Sequence, residues 1–129
     1  MHAYTPKATV VYEQRIAKSF CKALVERATA WPVDGIYSLT VHAYFPVPKS
    51  WSAGKRKKAH AGLLRPTIVP DGDNILKAVC DALNGLAWRD DKQVATCLIA
   101  KEYVSGDEAE AGLEVQITKL FIAENEGQG

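Results

Sequence analysis

The sequence predicts an α+β fold: a small mixed or antiparallel sheet with two helices packed on it. Three observations lead there. Residues 36–45 form a run of aromatic and β-branched side chains with nearly alternating polarity. Residues 73–86 repeat apolar side chains at helical spacing, and two further strand-like runs follow them. With 129 residues, 47% of them hydrophobic, one domain over residues 1–129 with a single real core is the expectation.

The elements follow in order. From about Thr9 to Ala30, Ile16, Phe20, Leu24 and Ala28 recur every fourth residue, with Ala17 and Ala23 nearby, which makes a helical stripe. Glu13, Arg15, Lys18, Lys22, Glu26 and Arg27 give that helix a solvated side, and Pro32 ends it. In "IYSLTVHAYF", Ile36, Leu39, Val41, Ala43 and Phe45 stand against Tyr37, Thr40, His42 and Tyr44, with one slip near Ser38, so this is a strand.

Residues 46–70 hold four prolines, two glycines and a run of cations, which leaves little room for long regular structure. A connection of that length inside a small domain is often functional. The second helix spans 73–86. Ile75, Val79, Ala82, Leu83 and Leu86 share one arc of its wheel; Asp73, Lys77, Asp81 and Asn84 share the other. Its acidic start suits the positive end of the helix dipole, and Gly85 with the turn beyond ends it. The chain then turns at Asp90-Asp91 and runs as a strand to about Val104. After the polar turn "SGDEAEAG", a last strand in "LEVQITKLFIA" pairs with it as a hairpin. Residues 124–129, "ENEGQG", read as a disordered tail.

Composition excludes several classes. No apolar run reaches the roughly 18 residues of a membrane-spanning helix, and "MHAYTPKATVVYEQ" has no apolar signal-peptide core. Cys21, Cys80 and Cys97 are odd in number, far apart and lack a C-x-x-C spacing. A reduced, cytoplasmic protein fits them better than a disulfide or zinc framework. Net charge is only +1, yet residues 49–65 carry six cations, one histidine and no acid, while the chain from Glu102 onward is mostly acidic. Such asymmetry favours a polyanion on one face.

The acids that invite chemistry are Asp71, Asp73 and the Asp90-Asp91 pair. Convergent carboxylates raise one another's pKa unless a cation joins them. Their hard oxygens select Mg²⁺ or Mn²⁺, which Mg²⁺ sites complete with waters and phosphate oxygens. Lys77, one turn beyond Asp73, is placed to hold a carboxylate or meet a phosphate. Plainer readings stand beside these. An aspartate at a helix start is ordinarily a cap, Asp73-Lys77-Asp81 is an ordinary ion-pair ladder, and Asp90-Asp91 alone is a routine turn. The helix is about 14 residues, or about 21 Å, long, so the chain must double back before Asp91 can approach Asp71. A calcium loop fails, because Leu76 stands where its glycine belongs and Ala82 where its bidentate glutamate belongs.

The cation run has two readings as well. "KRKK" can be merely a solvated segment. Lys49, Lys55, Arg56, Lys57, Lys58 and Arg65 can also neutralise backbone phosphates, with Trp51 stacking on an unpaired base. Trp88 is better explained by burial, and His42 and His60 have no partners at metal-ligand spacing.

The block "PDGDNILKAVCDALNGLAWRDDKQV", Pro70 to Val94, resembles the signature of the RusA family of Holliday junction resolvases: D-x-D-N, a lysine three residues on, D-A-L, a short gap and D-D-x-Q-[VI]. The resemblance extends over roughly Tyr4 to Leu120. It implies a RusA-like fold and a Mg²⁺-dependent endonuclease, with Mn²⁺ as substitute. Such an enzyme acts as a homodimer on four-way or branched DNA and places paired symmetric nicks. It implies Asp71, Asp73 and Asp91 as metal-binding acids, Asp90 as a possible sharer, Lys77 as the catalytic-site lysine, and Asp81 and Asn74 in support. It also implies that the second acid pair returns to the first, and a bacterial or phage source. Relatives carry a further N-terminal strand before the counterpart of "YTPK", so the expectation is a truncated start or a missing first strand. The alternative is a non-catalytic, structure-selective DNA-binding protein of the same descent. A plainer idea still is a scaffold protein with an acidic end.

Overall fold

A computed structural model describes residues 6–27, 31 and 34–120. The elements are α1 (Pro6–Arg27), β1 (Ile36–Phe45), α2 (Ala53–His60), α3 (Gly72–Leu83), a 3₁₀ turn (Asp91–Gln93), β2 (Val94–Tyr103) and β3 (Gly112–Leu120). Among the described residues this is an α+β fold with three helices and a three-stranded mixed sheet, ordered β2-β1-β3. The expected tail at 124–129, the N-terminal segment around Tyr4 and the helix stop at Pro32 lie outside the described residues.

β1 is the central strand because its sequence can be buried on alternate residues: Tyr37, Leu39, Val41 and Ala43 are all at most 3% exposed. The alternation does not slip at Ser38. It runs through Tyr37, which the sequence pattern sets on the polar side but which is buried. The ring of Tyr37 stacks at 6.0 Å on Trp31 and lies 5.8 Å from Trp88, while its hydroxyl donates to Asp34 O at 3.4 Å, so an aromatic with a polar tip fills this core position.

The expected β2–β3 hairpin is not formed, since β1 lies between those two strands. The Val104 N–H donates to Phe45 O at 3.0 Å, and the Gln93 side-chain Nε2 donates to Gly35 O at 3.0 Å. β2 therefore begins beside the start of β1 and finishes beside its end; the pair is parallel, joined by a helical crossover. β3 runs the other way, bringing Lys119 to the Gly35 end of β1. A tight hairpin needs only two residues. The longer Val104–Ala111 connection instead spans the end of β1, and a more apolar strand takes the centre.

The second departure is α2. The cations of "AGKRKKAH" are good helix formers. Ser52 caps the start, its Oγ accepting from the Lys55 N–H at 3.2 Å. Lys57, Lys58 and His60 sit in the last turn, where the dipole favours positive charge. Gly62, at φ +82°, lets the chain leave the helix.

The chain divides into two compact units: Met1–Leu39, Lys77–Cys97 and Ile117–Gly129 form one, and Thr40–Leu76 with Leu98–Gln116 the other. The first is built round Tyr37, Leu39, Val79, Leu83 and Trp88, all at most 1% exposed. Each such side chain contributes about 1.5–3 kcal/mol by burial. α1 shows a half-buried stripe at Ile16, Phe20 and Leu24, with Phe20 meeting Trp31 edge-on at 5.3 Å. The second unit gathers Val47, Ala59 and Val104, with Tyr44, Trp51, Leu64 and Tyr103 packed against them.

Candidate functional site

In the second unit, Asp71 and Asp73 flank the first residue of α3. The Ile75 N–H donates to Asp71 O at 3.0 Å, so Asp71 closes the first turn through its backbone. Its carboxylate is exposed and has no side-chain partner among the described residues. Asp73 is exposed too, and among the described residues its Oδ1 accepts only from the adjacent Asn74 N–H, at 3.0 Å. Gly72 between them fixes where they stand. A Cβ there would lie 3.3 Å from Ile99 Cγ2 of β2, so glycine lets the helix start sit hard against the strand. The apolar arc of α3 is as read from the sequence, with Ile75, Val79, Ala82 and Leu83 buried. It ends at Leu83, leaving Leu86 in the turn beyond.

In the first unit, Lys77 reaches Asp81 at 3.8 Å, with its side chain 75% exposed. The half-buried Cys80 faces the 3₁₀ turn. Burial first, then the charge of Asp91 and the neighbouring Cys97 and Asp81, push its thiol up to about 11. It is a neutral thiol at pH 7, not a nucleophile.

The Asp90-Asp91 pair divides its labour. Asp90 is the N-cap of the 3₁₀ turn: its carboxylate accepts from the Lys92 N–H at 2.9 Å and, in a capping box, from the Gln93 N–H. Gln93 closes the box and does more. Its Oε1 accepts from the N–H groups of Arg89 (2.8 Å) and Asp90 (3.1 Å), and its Nε2 donates to Gly35 O. Asp91 is left exposed, with no side-chain hydrogen bond or ion pair among the described residues. The signature read from the sequence contains Gln93 and Gly72 without giving either a role; Gln93's place three residues after a capping-type Asp is the available signal.

Arg89 and Trp88 anchor this turn. Arg89 forks onto Asp34 at 2.6 and 3.2 Å, which holds the Asp34 carboxyl below the usual carboxylate range and raises Arg89. Trp88 is buried, its Nε1 donating to Asn84 Oδ1 at 2.8 Å, and Trp31 Nε1 donates to Ala87 O at 2.7 Å.

The basic segment of the second unit is only partly free. Lys49, Lys57 and Lys58 are exposed. Lys55 lies 3.9 Å over the Trp51 ring, whose other contact is the edge of Tyr103 at 5.4 Å; one face of Trp51 is thus already covered. Arg65 pairs with Glu102 at 3.3 Å and donates to Lys101 O at 3.3 Å. Arg56 is bound to Asp107. Glu102 also meets His42 at 2.6 Å, and these contacts, that of His42 foremost, lower its carboxyl.

No three His, Cys, Asp or Glu side chains among the described residues stand together as a ready-made metal cage. The exposed carboxylates of Asp71, Asp73 and Asp91 are hard, anionic oxygen donors. That chemistry fits Mg²⁺ or Mn²⁺, which is commonly held by one or two carboxylates together with substrate phosphates.

The fold is that of a small α+β protein, with exposed carboxylates at the start of α3 and a run of cations on α2. The family model for endodeoxyribonuclease RusA matches residues 1–118, and the chain belongs to that family. The chain is also similar to the uncharacterized protein YqaN of Bacillus subtilis (strain 168), 40% identical over 105 residues that cover 80% of this chain and 71% of that one. No solved structure matches it. Among the described residues no helix is long and apolar enough to cross a membrane.

Proposed function

We propose that this protein is a metal-dependent endonuclease that resolves four-way DNA junctions by paired, symmetric phosphodiester nicks in recombination and repair. The family match over residues 1–118 carries the reading. Asp71, Asp73 and Asp91 are the carboxylates that hold Mg²⁺, with Mn²⁺ as substitute; the freedom of Asp71 and Asp91 from side-chain partners supports this. Asp90 supports Asp91 from the capping position. When bound, the cation lowers the pKa of water and offsets charge that develops on a phosphate.

The chain's own residues position the substrate. Lys77, whose ammonium is exposed and only loosely paired with Asp81, neutralises the phosphate at the site. Lys49, Lys55, Lys57 and Lys58 grip the DNA backbone. Arg56 and Arg65 serve first as braces, being held by Asp107 and Glu102. Two nicks on opposite strands call for two copies of the site, hence a homodimer.

A synthetic four-way junction and a linear duplex of the same sequence, each incubated with Mg²⁺ or EDTA, test the reading. Mg²⁺-dependent, paired cuts in the junction alone are expected. A junction that is bound but stays intact with Mg²⁺ and Mn²⁺ would leave a non-catalytic, structure-selective DNA-binding protein instead.

A further inference from the structure

Asp91 heads a 3₁₀ turn of three residues, and so short a turn has little stability of its own. A neighbouring side chain holds it. Gln93 Oε1 accepts from the N–H groups of Arg89 at 2.8 Å and Asp90 at 3.1 Å, while its Nε2 donates to Gly35 O at 3.0 Å. One amide thus grips the chain just ahead of Asp91 and fastens it to the start of β1. Behind, the Val94 N–H donates to Asp91 O. The backbone of Asp91 is therefore fixed on both sides, while its carboxylate stays exposed.

A capping box needs only the bond between the Gln93 side chain and the Asp90 N–H. The bonds to Arg89 and Gly35 come in addition, and the one to Gly35 ends on a firm base. Gly35 sits at φ +138°, and a Cβ there would lie 2.8 Å from Lys119 Cε of β3, so glycine alone suits the position. Two residues on, Tyr37 is fully buried in the core. Arg89, forked onto Asp34, adds a second link to the same segment, but a solvent-exposed one.

We infer that Gln93 is a positioning residue for Asp91: it sets where this carboxylate stands, and through that the affinity of the site for its divalent cation. The inference rests on the proposed role of Asp91 as a metal-holding acid. A carboxylate on a loose turn must be ordered as the ion binds, and that ordering opposes binding. A carboxylate held in place beforehand avoids that cost. Gln93 acts through the backbone and not on the carboxylate itself. Its loss is therefore expected to weaken cation binding about ten-fold, the low end of the range for outer partners of metal ligands.

Binding of Mn²⁺ alone, without DNA, is measured by electron paramagnetic resonance for wild type, Gln93→Met, Gln93→Asn and Asp91→Asn. Methionine keeps the length but brings neither N–H nor carbonyl. Asparagine keeps the amide on a stem one carbon shorter, which cannot span the Asp90 N–H and Gly35 O together. Gln93→Met is expected to bind Mn²⁺ about ten-fold more weakly than wild type, and Gln93→Asn more weakly as well. Wild-type affinity in Gln93→Met overturns the inference; should that variant not fold, Gln93→Asn decides by the same criterion.

Nicking of a four-way junction then separates positioning from chemistry. In the Gln93 variants the half-saturating Mg²⁺ concentration should rise by the same factor, while the rate at saturating Mg²⁺ stays near wild type. A lower rate at saturation with unchanged half-saturation overturns the inference. Asp91→Asn keeps two failures apart. If it weakens Mn²⁺ binding and the Gln93 variants do not, the inference falls and the metal reading stands. If it binds Mn²⁺ as wild type does, Asp91 holds no cation and both fall.

Discussion

Asp90 and Gln93 hold each other across one turn. The Asp90 carboxylate accepts from the Gln93 N–H, and the Gln93 side chain accepts from the Asp90 N–H at 3.1 Å. This reciprocal pair spends Asp90 on the backbone and leaves Asp91, one residue on, exposed. Two adjacent aspartates with the same chemistry thus end in different surroundings, set by their position relative to a cap.

That division predicts opposite phenotypes. Asp90→Ala removes a cap and should destabilise the protein by about 1 kcal/mol. Asp91→Asn should leave the thermal midpoint nearly unchanged while abolishing nicking. Thermal melts and junction cleavage on both variants check this.

Gly72 predicts a packing defect that can be repaired. Gly72→Val places a branched side chain where even a Cβ meets Ile99 at 3.3 Å, and should cost about 1–3 kcal/mol. Adding Ile99→Ala should recover part of that loss, because the two sites touch. Urea denaturation of the four proteins of the cycle measures the coupling; strict additivity would contradict the contact.

Cys80 predicts selective reactivity. With its thiol raised to about 11, it should be alkylated by iodoacetamide at pH 8 far more slowly than the exposed Cys21 and Cys97. Peptide mass spectrometry of a time course reads the order.

Asp34, Glu102 and Asp107 predict the acid limb of stability. Each has its carboxyl lowered in the folded state. Their contribution is therefore present above the unfolded carboxylate value and is lost as pH falls through the folded one. The thermal midpoint should fall below about pH 4. The fall should be shallower in Asp34→Asn, and modest throughout because these pairs are exposed to solvent.

Much of the fold is legible from local pattern. The bounds of β1 are legible, since burial on one face imposes a period that Leu39, Val41 and Ala43 display; the facing of Tyr37 is not, because an aromatic with a polar tip suits either side. α3 is legible because Ile75, Val79 and Leu83 need a common face. The strand order is not, because pairing depends on which strands compete for the centre, and neither β2 nor β3 carries a mark of its neighbour. α2 escaped notice because a cation run between prolines looks like loop until Ser52 is seen to cap it. At the site, the residue types in Asp71, Asp73 and Asp91 show which chemistry is available. The difference between Asp90 and Asp91 becomes visible only when Gln93 turns back on the chain.

One measurement bears most directly on the central claim, that Asp71, Asp73 and Asp91 supply the oxygens for a divalent cation at which DNA is cut. Binding and Mg²⁺-dependent nicking of one synthetic four-way junction are followed side by side for wild type and Asp73→Asn. The account predicts full binding by both proteins and cleavage by wild type alone. Cleavage by Asp73→Asn at the wild-type rate, or none by wild type with either Mg²⁺ or Mn²⁺, would contradict it.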